Sequence, residues 1–366
     1  MEKQKVLLAM SGGVDSSVAA LLLQKQGYEV IGAFMVNWSD TKNQMTGECA
    51  WKEEREMALK IAKKLGIKFI TLNFEDIYRK DVIEPMFENY KKGITPNPDV
   101  DCNNKIKFPL LLEEAKKLKC DFMATGHYAR IKKNKGKLEL HRGKDESKDQ
   151  SYFLYRLSQK DLKDTLFPIG NYTKTQIRDL AKKNKFSNHD KKGTVGICFI
   201  GKVNLKEFLQ QKIKPKSGKI LDPEGNQIGE HDGIYYYTIG QRIGPRYGIE
   251  IDKEESIKKR WYVAQKFPKT NVIVAAPEGH QLNLRKEVIL TDFHLIDENK
   301  EDFMEKPIKV KSRIRQVGEL LESTLFYENK KFKITLQKAI TGVSQGQAIV
   351  LYKGTKCIGG GVISFD

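Results

Sequence analysis

The chain has 366 residues and a formal net charge of +18, because its 65 lysines and arginines outnumber its 47 aspartates and glutamates. This length suggests two or three domains with ample cores, and the positive excess favours a polyanionic partner, nucleic acid before a membrane surface. No signal peptide and no apolar stretch of membrane-spanning length is found, so we expect a cytoplasmic protein without membrane attachment. The five scattered cysteines are never spaced C-x-x-C, which argues against a disulfide framework and against a local zinc or iron–sulfur knuckle.

The first element predicts a phosphate-binding turn. An apolar run of strand length at residues 6–10 is followed by Ser-Gly-Gly-Val-Asp-Ser at residues 11–16, and a helix is predicted from about Ser16. Strand, glycine turn and helix N-terminus together surround a phosphate with backbone N–H groups. Walker A spacing is absent, and the hexapeptide resembles the S-G-G-x-D-S signature of the PP-loop pyrophosphatases, which cleave ATP between the α and β phosphates. The alternative is an ordinary turn in which Asp15 or Ser16 caps the helix.

The first 125 residues alternate between strand and helix patterns. Strands are predicted at 29–36, 68–73 and 121–124, and helices at 51–65, 76–92 and 108–119. This order indicates a doubly wound parallel sheet that binds its ligands at the carboxyl ends of the strands. The opening turn, Met35 and Gly126 are then expected along the same edge.

The second half of the chain reads mainly as β-structure. Residues 173–176 predict a helix capping box, and turn signals from about residue 215 onwards separate strand-like runs, one of them at 234–239. In residues 308–315 four cations alternate and are predicted to share one face, which is either a solvated surface or an RNA-binding stripe: Lys309, Lys311, Arg313 and Arg315. We predict a catalytic domain at 1–202, a small central β-rich domain at 203–278 and a C-terminal β-barrel at 279–366.

Two segments place cysteines in unusual surroundings. Residues 95–105 hold two prolines and three asparagines around Asp99 and Cys102, which predicts a rigid loop that carries a carboxylate and a thiol. Residues 196–201 place Cys198 in a short apolar run between glycines. Taken alone, each cysteine is either a buried structural residue or a reactive thiol.

Taken together, these segments resemble the tRNA-specific 2-thiouridylases, and the resemblance extends over nearly the whole chain. The matching stretches are residues 11–16, 34–38, 95–108, 124–128, 148–154, 196–201, 238–242 and 359–361. The resemblance implies a PP-loop domain of the adenine nucleotide alpha hydrolase-like fold, a small β domain and a C-terminal barrel. It also implies a monomeric enzyme that uses ATP and Mg²⁺ to replace the C2 oxygen of the wobble uridine with sulfur, in tRNAs for lysine, glutamate and glutamine.

The resemblance also implies a reaction sequence. The C2 oxygen attacks the α-phosphorus of ATP and releases pyrophosphate, which turns a poor leaving group into a good one. A persulfide on Cys198, loaded by a cysteine desulfurase or a sulfur-carrier protein, then delivers sulfur to C2. Cys102 attacks the sulfur–sulfur bond and leaves a Cys102–Cys198 disulfide to be reduced, while Asp99 acts as acid or base.

The remaining site residues follow from the same match. The residues expected to bind ATP are Ala9, Met10, Ser11, Gly12, Gly13, Val14, Asp15, Ser16, Met35 and Gly126. Those expected to contact tRNA are Asn97, Pro98 and Asp99 around a flipped-out uridine, and His127, Lys148, Asp149, Gln150, Arg313, Ile314 and Gln347 elsewhere.

Several features depart from the family pattern. Gly-Thr-Val at 193–195 replaces an Asp-Ser-Thr run, Pro-Arg-Tyr at 245–247 replaces a glycine-rich stretch, and Asp101 adds a carboxylate beside Cys102 that disfavours a thiolate. Other interpretations stay open at this stage: an amidating PP-loop ligase, a 4-thiouridine synthetase, a tRNA-binding protein without catalysis, and an iron–sulfur route in place of the persulfide.

Overall fold

The computed structural model describes residues 3–40, 49, 51–191, 204–244, 260–296, 299–316 and 318–365. Cys198, the 193–195 and 245–247 departures and the 196–201 segment lie outside the described residues. Among the residues described, no helix combines the length and the apolar character needed to cross a bilayer.

Helices dominate the first half of the chain. They are α1 (Val14–Lys25), α2 (Trp51–Leu65), α3 (Glu75–Tyr78), α4 (Glu84–Lys91), α5 (Pro98–Asp101), α6 (Phe108–Lys117), α7 (Gln159–Lys163), α8 (Lys174–Lys183) and α9 (Leu205–Gln210). A π-helical turn at Arg79–Ile83 joins α3 to α4, and another at Cys102–Lys107 joins α5 to α6. Short 3₁₀ turns lie at Ser151–Leu154, Ile234–Tyr236, Gln281–Asn283 and Lys300–Phe303.

The strands form three sheets. In chain order they are β1 (Lys5–Ala9), β2 (Glu29–Val36), β3 (Lys68–Asn73), β4 (Phe122–Ala124), β5 (Ala129–Asn134), β6 (Lys137–Arg142), β7 (Thr165–Leu166), β8 (Gly218–Leu221), β9 (Gln227–His231), β10 (Arg242–Ile243), β11 (Trp261–Phe267), β12 (Val272–Pro277), β13 (Leu284–Leu295), β14 (Ile308–Arg313), β15 (Leu321–Glu328), β16 (Lys331–Thr341), β17 (Ala348–Lys353) and β18 (Lys356–Ser364).

The first sheet is parallel, with the order β3-β2-β1-β4-β7, as the alternating pattern predicts. Both of its faces are covered, because Leu7 packs in one buried cluster while Val6 and Leu8 pack in another. Strand order reverses at β1, which has β2 on one side and β4 on the other. Such a switch point leaves a crevice at the carboxyl ends of the strands, where nucleotides bind.

The second sheet, β10-β11-β12-β8-β9, forms a small β domain. Asp222 anchors the turn between β8 and β9, where its carboxylate accepts a hydrogen bond from Asn226 N at 2.7 Å, so the turn prediction is confirmed. The predicted strand at 234–239 is wrong, because Ile234–Tyr236 forms a 3₁₀ turn. Two tyrosine hydroxyls fix this turn: Tyr236 donates to Ile213 O at 2.5 Å and Tyr237 to Asp232 at 2.6 Å.

The third sheet closes into a barrel, since β13 pairs with both β16 and β18. The hairpin β5–β6, which comes from the catalytic half of the chain, adds to the barrel through the pairing of β6 with β18. This hairpin was not predicted. Its signal is the Lys135-Gly136 pair between Ile131 and Leu138: both central residues have positive φ, as a two-residue hairpin turn requires.

A buried ion pair ties the segment after this hairpin to the barrel. Arg313 on β14 contacts Asp149 at 2.6 Å, and their side chains are 5% and 0% exposed. Asp149 also accepts hydrogen bonds from Gly143 N and from the backbone and hydroxyl of Ser151. The predicted stripe of four cations sharing one exposed face is therefore wrong, because Asp149 draws Arg313 into the interior while Lys311 stays near the surface beside Glu322.

We predict that Arg313→Leu destabilises the protein by about 3–5 kcal/mol, because it leaves a buried carboxylate without its counter-charge. Lys311→Leu removes only a surface pair worth about 0–1 kcal/mol and serves as the control. Calorimetric unfolding measures both. The double variant with Asp149→Asn is expected to lose less than Arg313→Leu alone, and an additive loss would contradict the pairing. A charge-reversed variant at Arg313 would therefore lose stability, so weaker tRNA binding by that variant is not by itself evidence of a direct contact with tRNA.

Candidate active site

The glycine turn after β1 has the predicted form. Gly12 has φ of +75°, and a Cβ at this position would overlap the backbone carbonyl of Glu54, so the position accepts only glycine. The helix begins at Val14 with Gly13 as N-cap, so the predicted start near Ser16 and the alternative of Asp15 or Ser16 as the cap are both wrong. Among the described residues no side chain caps α1, so the N–H groups of its first turn remain available to a ligand.

Side chains around the turn hold its backbone. The Ser16 hydroxyl donates to Gly13 O at 3.1 Å and accepts from Ser11 N at 3.2 Å. Asn188 donates to Gly12 O at 3.0 Å. The serines therefore shape the turn, and the backbone N–H groups supply the phosphate-binding capacity.

Asp15 is neutralised from two sides. Lys174 donates to both of its carboxylate oxygens at 2.7 Å, and the Tyr128 hydroxyl donates at 2.8 Å. Burial first and the Asp15 charge second raise the pKa of Tyr128 far above its usual value, so this phenol stays protonated as a donor. No local sequence pattern identifies Lys174 or Tyr128 as partners of the turn, because their positions relative to it depend on tertiary packing.

The loops after β1 and β4 meet at the switch point. A Cβ on Gly126 would lie 2.9 Å from Ser16 N, so the two backbones touch there. Met10 N donates to Ala33 O at 2.8 Å, and Met35 is buried nearby at the end of β2. The structure thus brings the residues predicted to bind ATP to one edge of the sheet.

The predicted rigid loop around Cys102 is wrong, because residues 98–117 are helical throughout. Pro98 lies in the first turn of α5, where a proline costs no hydrogen bond, and Asn97 caps it by accepting from Val100 N at 3.3 Å. Cys102 opens the π-helical turn and is 0% exposed. Asp101, two-thirds buried, pairs with Lys105 at 3.1 Å, so its charge is partly neutralised before it acts on the thiol.

The segment that leads into this helix is held by donors from the barrel and from the small β domain. Gln347 of the barrel donates to Thr95 O at 2.9 Å and to Pro96 O at 2.7 Å. Lys266 of the small β domain donates to Gly93 O at 2.9 Å and to Tyr237 O at 2.6 Å. We call residues 93–97 the clamped segment. Sequence analysis assigned Gln347 to tRNA and missed Lys266, which no local pattern distinguishes from the other lysines.

The residues predicted to contact tRNA divide into two groups. Asn97 is the last residue of the clamped segment and donates to the Tyr152 hydroxyl at 3.3 Å, and this hydroxyl donates to Ile314 O at 3.1 Å. Lys148 is exposed, and Gln150 accepts from Tyr128 N at 2.9 Å. The side chains of Asp149, Arg313 and Ile314 are buried, so in this structure only their backbone or a rearrangement would reach a ligand.

His127 is also buried, between Phe108 and Phe167, and its Nδ1 lies 2.7 Å from the Thr125 hydroxyl. Burial lowers the pKa of His127 well below its usual value, so the ring is neutral. A neutral imidazole in this position supports the loop after β4 and does not present a positive charge.

Comparisons with known proteins cover the whole chain. Three family models match one after another along the chain: "tRNA methyl transferase HUP domain" at residues 4–202, "tRNA methyl transferase PRC-barrel domain" at 206–277 and "Aminomethyltransferase beta-barrel domain" at 285–363. The chain is 41% identical over 367 residues to the tRNA-specific 2-thiouridylase MnmA of Coxiella burnetii, with 99% of each chain covered. It is 40% identical over 359 residues to the protein of the same name from Listeria monocytogenes, with 98% and 94% covered.

Among solved structures, a 4-thiouridine synthetase–RNA complex with bound ATP overlaps at a TM-score of 0.36 and 16% identity, covering 57% of this chain and 50% of that chain. A likeness at this level carries no weight for the assignment.

We predict that Lys266 makes stability depend on pH. Burial lowers the pKa of Lys266 to about 7. Its two hydrogen bonds to carbonyl oxygens favour the charged form and so oppose this effect. Because the unfolded chain keeps a lysine pKa near 10.4, protons favour unfolding between the two values. Relative to Lys266→Met, the free energy of unfolding of the wild type should fall by up to about 1.4 kcal/mol per pH unit as the pH is lowered from 10 to about 7. Below pH 7 this difference should not change further.

Calorimetric melting of both proteins across this range measures the difference. Lys269→Met, at an exposed position in the same domain, is the control and should show no such slope. A pH-independent difference between wild type and Lys266→Met contradicts the prediction.

Proposed function

The chain belongs to the tRNA-specific 2-thiouridylase family, and we propose that it replaces the C2 oxygen of the wobble uridine of tRNA with sulfur in an ATP-dependent reaction. The sequence resemblance to this family is confirmed by relatives about 40% identical over their full length. The observation that carries the proposal is the pairing of two sites in one molecule. An uncapped glycine turn suits ATP, and the clamped segment leads into the helix that bears Asp99 and Cys102.

The first step is adenylation of the base. Backbone N–H groups of residues 12–16 hold the phosphates of ATP at the helix N-terminus, and the C2 oxygen of the uridine attacks the α-phosphorus to release pyrophosphate. Magnesium would arrive with the triphosphate and neutralise its charge, a mode that needs few protein carboxylates. Asp15, held by Lys174, would orient the turn rather than bind the metal alone.

The second step is sulfur transfer. The terminal sulfur of a Cys198 persulfide attacks C2, and AMP leaves with the original oxygen. The Cys102 thiolate then attacks Sγ of Cys198, which breaks the bond to the transferred sulfur, frees the 2-thiouridine and forms a Cys102–Cys198 disulfide. An external thiol reductant supplies two electrons to restore both cysteines. Asn97, Pro98 and Asp99 would form the pocket for the flipped-out uridine, with Asp99 moving the proton.

In this scheme the protein acts on a tRNA for lysine, glutamate or glutamine. It receives sulfur from a donor protein, either a cysteine desulfurase or a sulfur-carrier protein. We propose a monomer, since each chain carries both sites. The net charge of +18 supports a polyanionic substrate.

We predict different defects for the two cysteines. Cys198→Ser should adenylate tRNA but accept no persulfide, whereas Cys102→Ser should accept persulfide yet form no intramolecular disulfide and turn over poorly. Intact-protein mass spectrometry after donor treatment, together with single-turnover thiolation of tRNA, distinguishes them. Cys120→Ser, half-buried beside Asp121, is the control and should behave as wild type. Preserved thiolation by Cys198→Ser would overturn the assignment.

We also predict that Gly12→Ala abolishes tRNA-dependent pyrophosphate release, because the added Cβ displaces the Glu54 backbone and opens the turn. Gly27→Ala is a matched control: its φ of +92° imposes similar backbone strain, but nothing lies within 4 Å of the added Cβ. Pyrophosphate release by the control should stay near the wild-type rate. Equal rates of pyrophosphate release in the two variants would contradict the assignment of the glycine turn to the ATP site.

A further inference from the structure

Asn37 lies directly after β2, and its buried side chain has no hydrogen-bond partner among the described residues. Its side chain belongs to a residue only 1% exposed, and within the described part of the chain neither its Oδ1 nor its Nδ2 has a hydrogen-bond partner. Three other described asparagines have one unpaired buried oxygen, but each donates through Nδ2: Asn188, Asn271 and Asn283. Asn37 thus differs from them in leaving a donor and an acceptor unused.

Such a carboxamide is costly unless something else completes it. A buried polar group without a partner destabilises the folded state, and native structures retain few of them. Substituting an apolar side chain of similar shape would remove that cost. The retained amide therefore indicates a polar partner outside the described chain.

The position of Asn37 indicates which partner. In sheets of this topology the phosphates lie at the turn after the first strand, and a side chain at the end of the neighbouring strand, about 20 residues further on, meets the nucleoside. Asn37 follows the end of β2 and lies 24 residues after Gly13 (37 − 13). β2 is the direct neighbour of β1, with Ala33 opposite Ala9.

We propose that the Asn37 carboxamide binds the nucleoside part of ATP, an inference that rests on the proposed function. A carboxamide offers an acceptor and a donor side by side, which match either the 6-amino group and a ring nitrogen of adenine or the two ribose hydroxyls. Both groups belong to the same nucleoside, and ATP analogues separate them.

The first test compares stability with binding in Asn37→Leu. Because Leu has nearly the shape of Asn and removes both unpaired groups, the melting temperature without ATP should be unchanged or higher. The KM for ATP in tRNA-dependent pyrophosphate release should rise about 10-fold or more, as two hydrogen bonds are lost. Asn283→Leu is the matched control: it removes a bonded amide, so its melting temperature should fall while its KM for ATP stays unchanged.

The second test identifies the contacted group. The KM ratio between Asn37→Leu and wild type is measured with ATP, with purine riboside triphosphate, which lacks the 6-amino group, and with 2′-deoxy-ATP and 3′-deoxy-ATP. The ratio should approach 1 for the analogue that lacks the contacted group and stay high for the others.

Three results overturn the inference: an unchanged KM for ATP in Asn37→Leu, a lowered melting temperature without ATP, or the same KM ratio for every analogue. The first would fit a buried water as the partner, and the other two a structural role. Failure of the proposed function is distinct, because the wild type would then release no pyrophosphate with tRNA and ATP.

Discussion

Much of this site depends on how the backbone of residues 93–97 is held. A carbonyl buried at a domain junction needs a donor, and here Gln347 and Lys266 supply donors from two different domains. Thr95 adds a hydroxyl contact to Thr238 at 3.2 Å and a backbone bond to Gln345 O at 3.2 Å. Because these bonds cross domain boundaries, the start of the helix that carries Asp99 and Cys102 is held both by the barrel and by the small β domain. We therefore expect substitutions in the two β domains to affect the position of this helix, although neither domain carries a predicted catalytic residue.

The barrel is coupled to the catalytic half a second time through the buried pair of Arg313 and Asp149. Charges removed from water require near-complete pairing, and Asp149 meets that demand with four donors. The barrel also takes up the β5–β6 hairpin as added strands. Hydrogen bonds, an ion pair and a shared sheet therefore connect the same two parts of the chain, which favours one fixed arrangement over independently moving domains.

The sequence predicted the parallel domain closely, because its elements are set by local patterns. β2, α2 and β3 have the predicted bounds, and the capping box at Thr173 is present. The predictions are wrong where one local sequence pattern is compatible with two different structures. The prolines of residues 95–105 predict a loop, but a proline in the first turn of a helix is well tolerated. The alternating cations predict that Arg313 shares a face with Lys311, since nothing local shows that Asp149, 164 residues away, pairs with it.

The predicted site combines a fixed turn with a thiol that is inaccessible in this structure. The glycine turn needs little movement to bind a phosphate, because its helix has no side-chain cap among the described residues and the carbonyls of Gly12 and Gly13 are already bonded. Cys102 is 0% exposed, so attack on a persulfide requires the helix around it to shift. The π-helical turn that begins at Cys102 is a suitable place for such a shift, since π-turns carry an extra residue and pack less favourably than α-helix. Lys105, which belongs to this π-turn, donates to Asp81 O in the neighbouring π-turn at 3.3 Å. A shift of one π-turn would therefore strain or break this bond to the other.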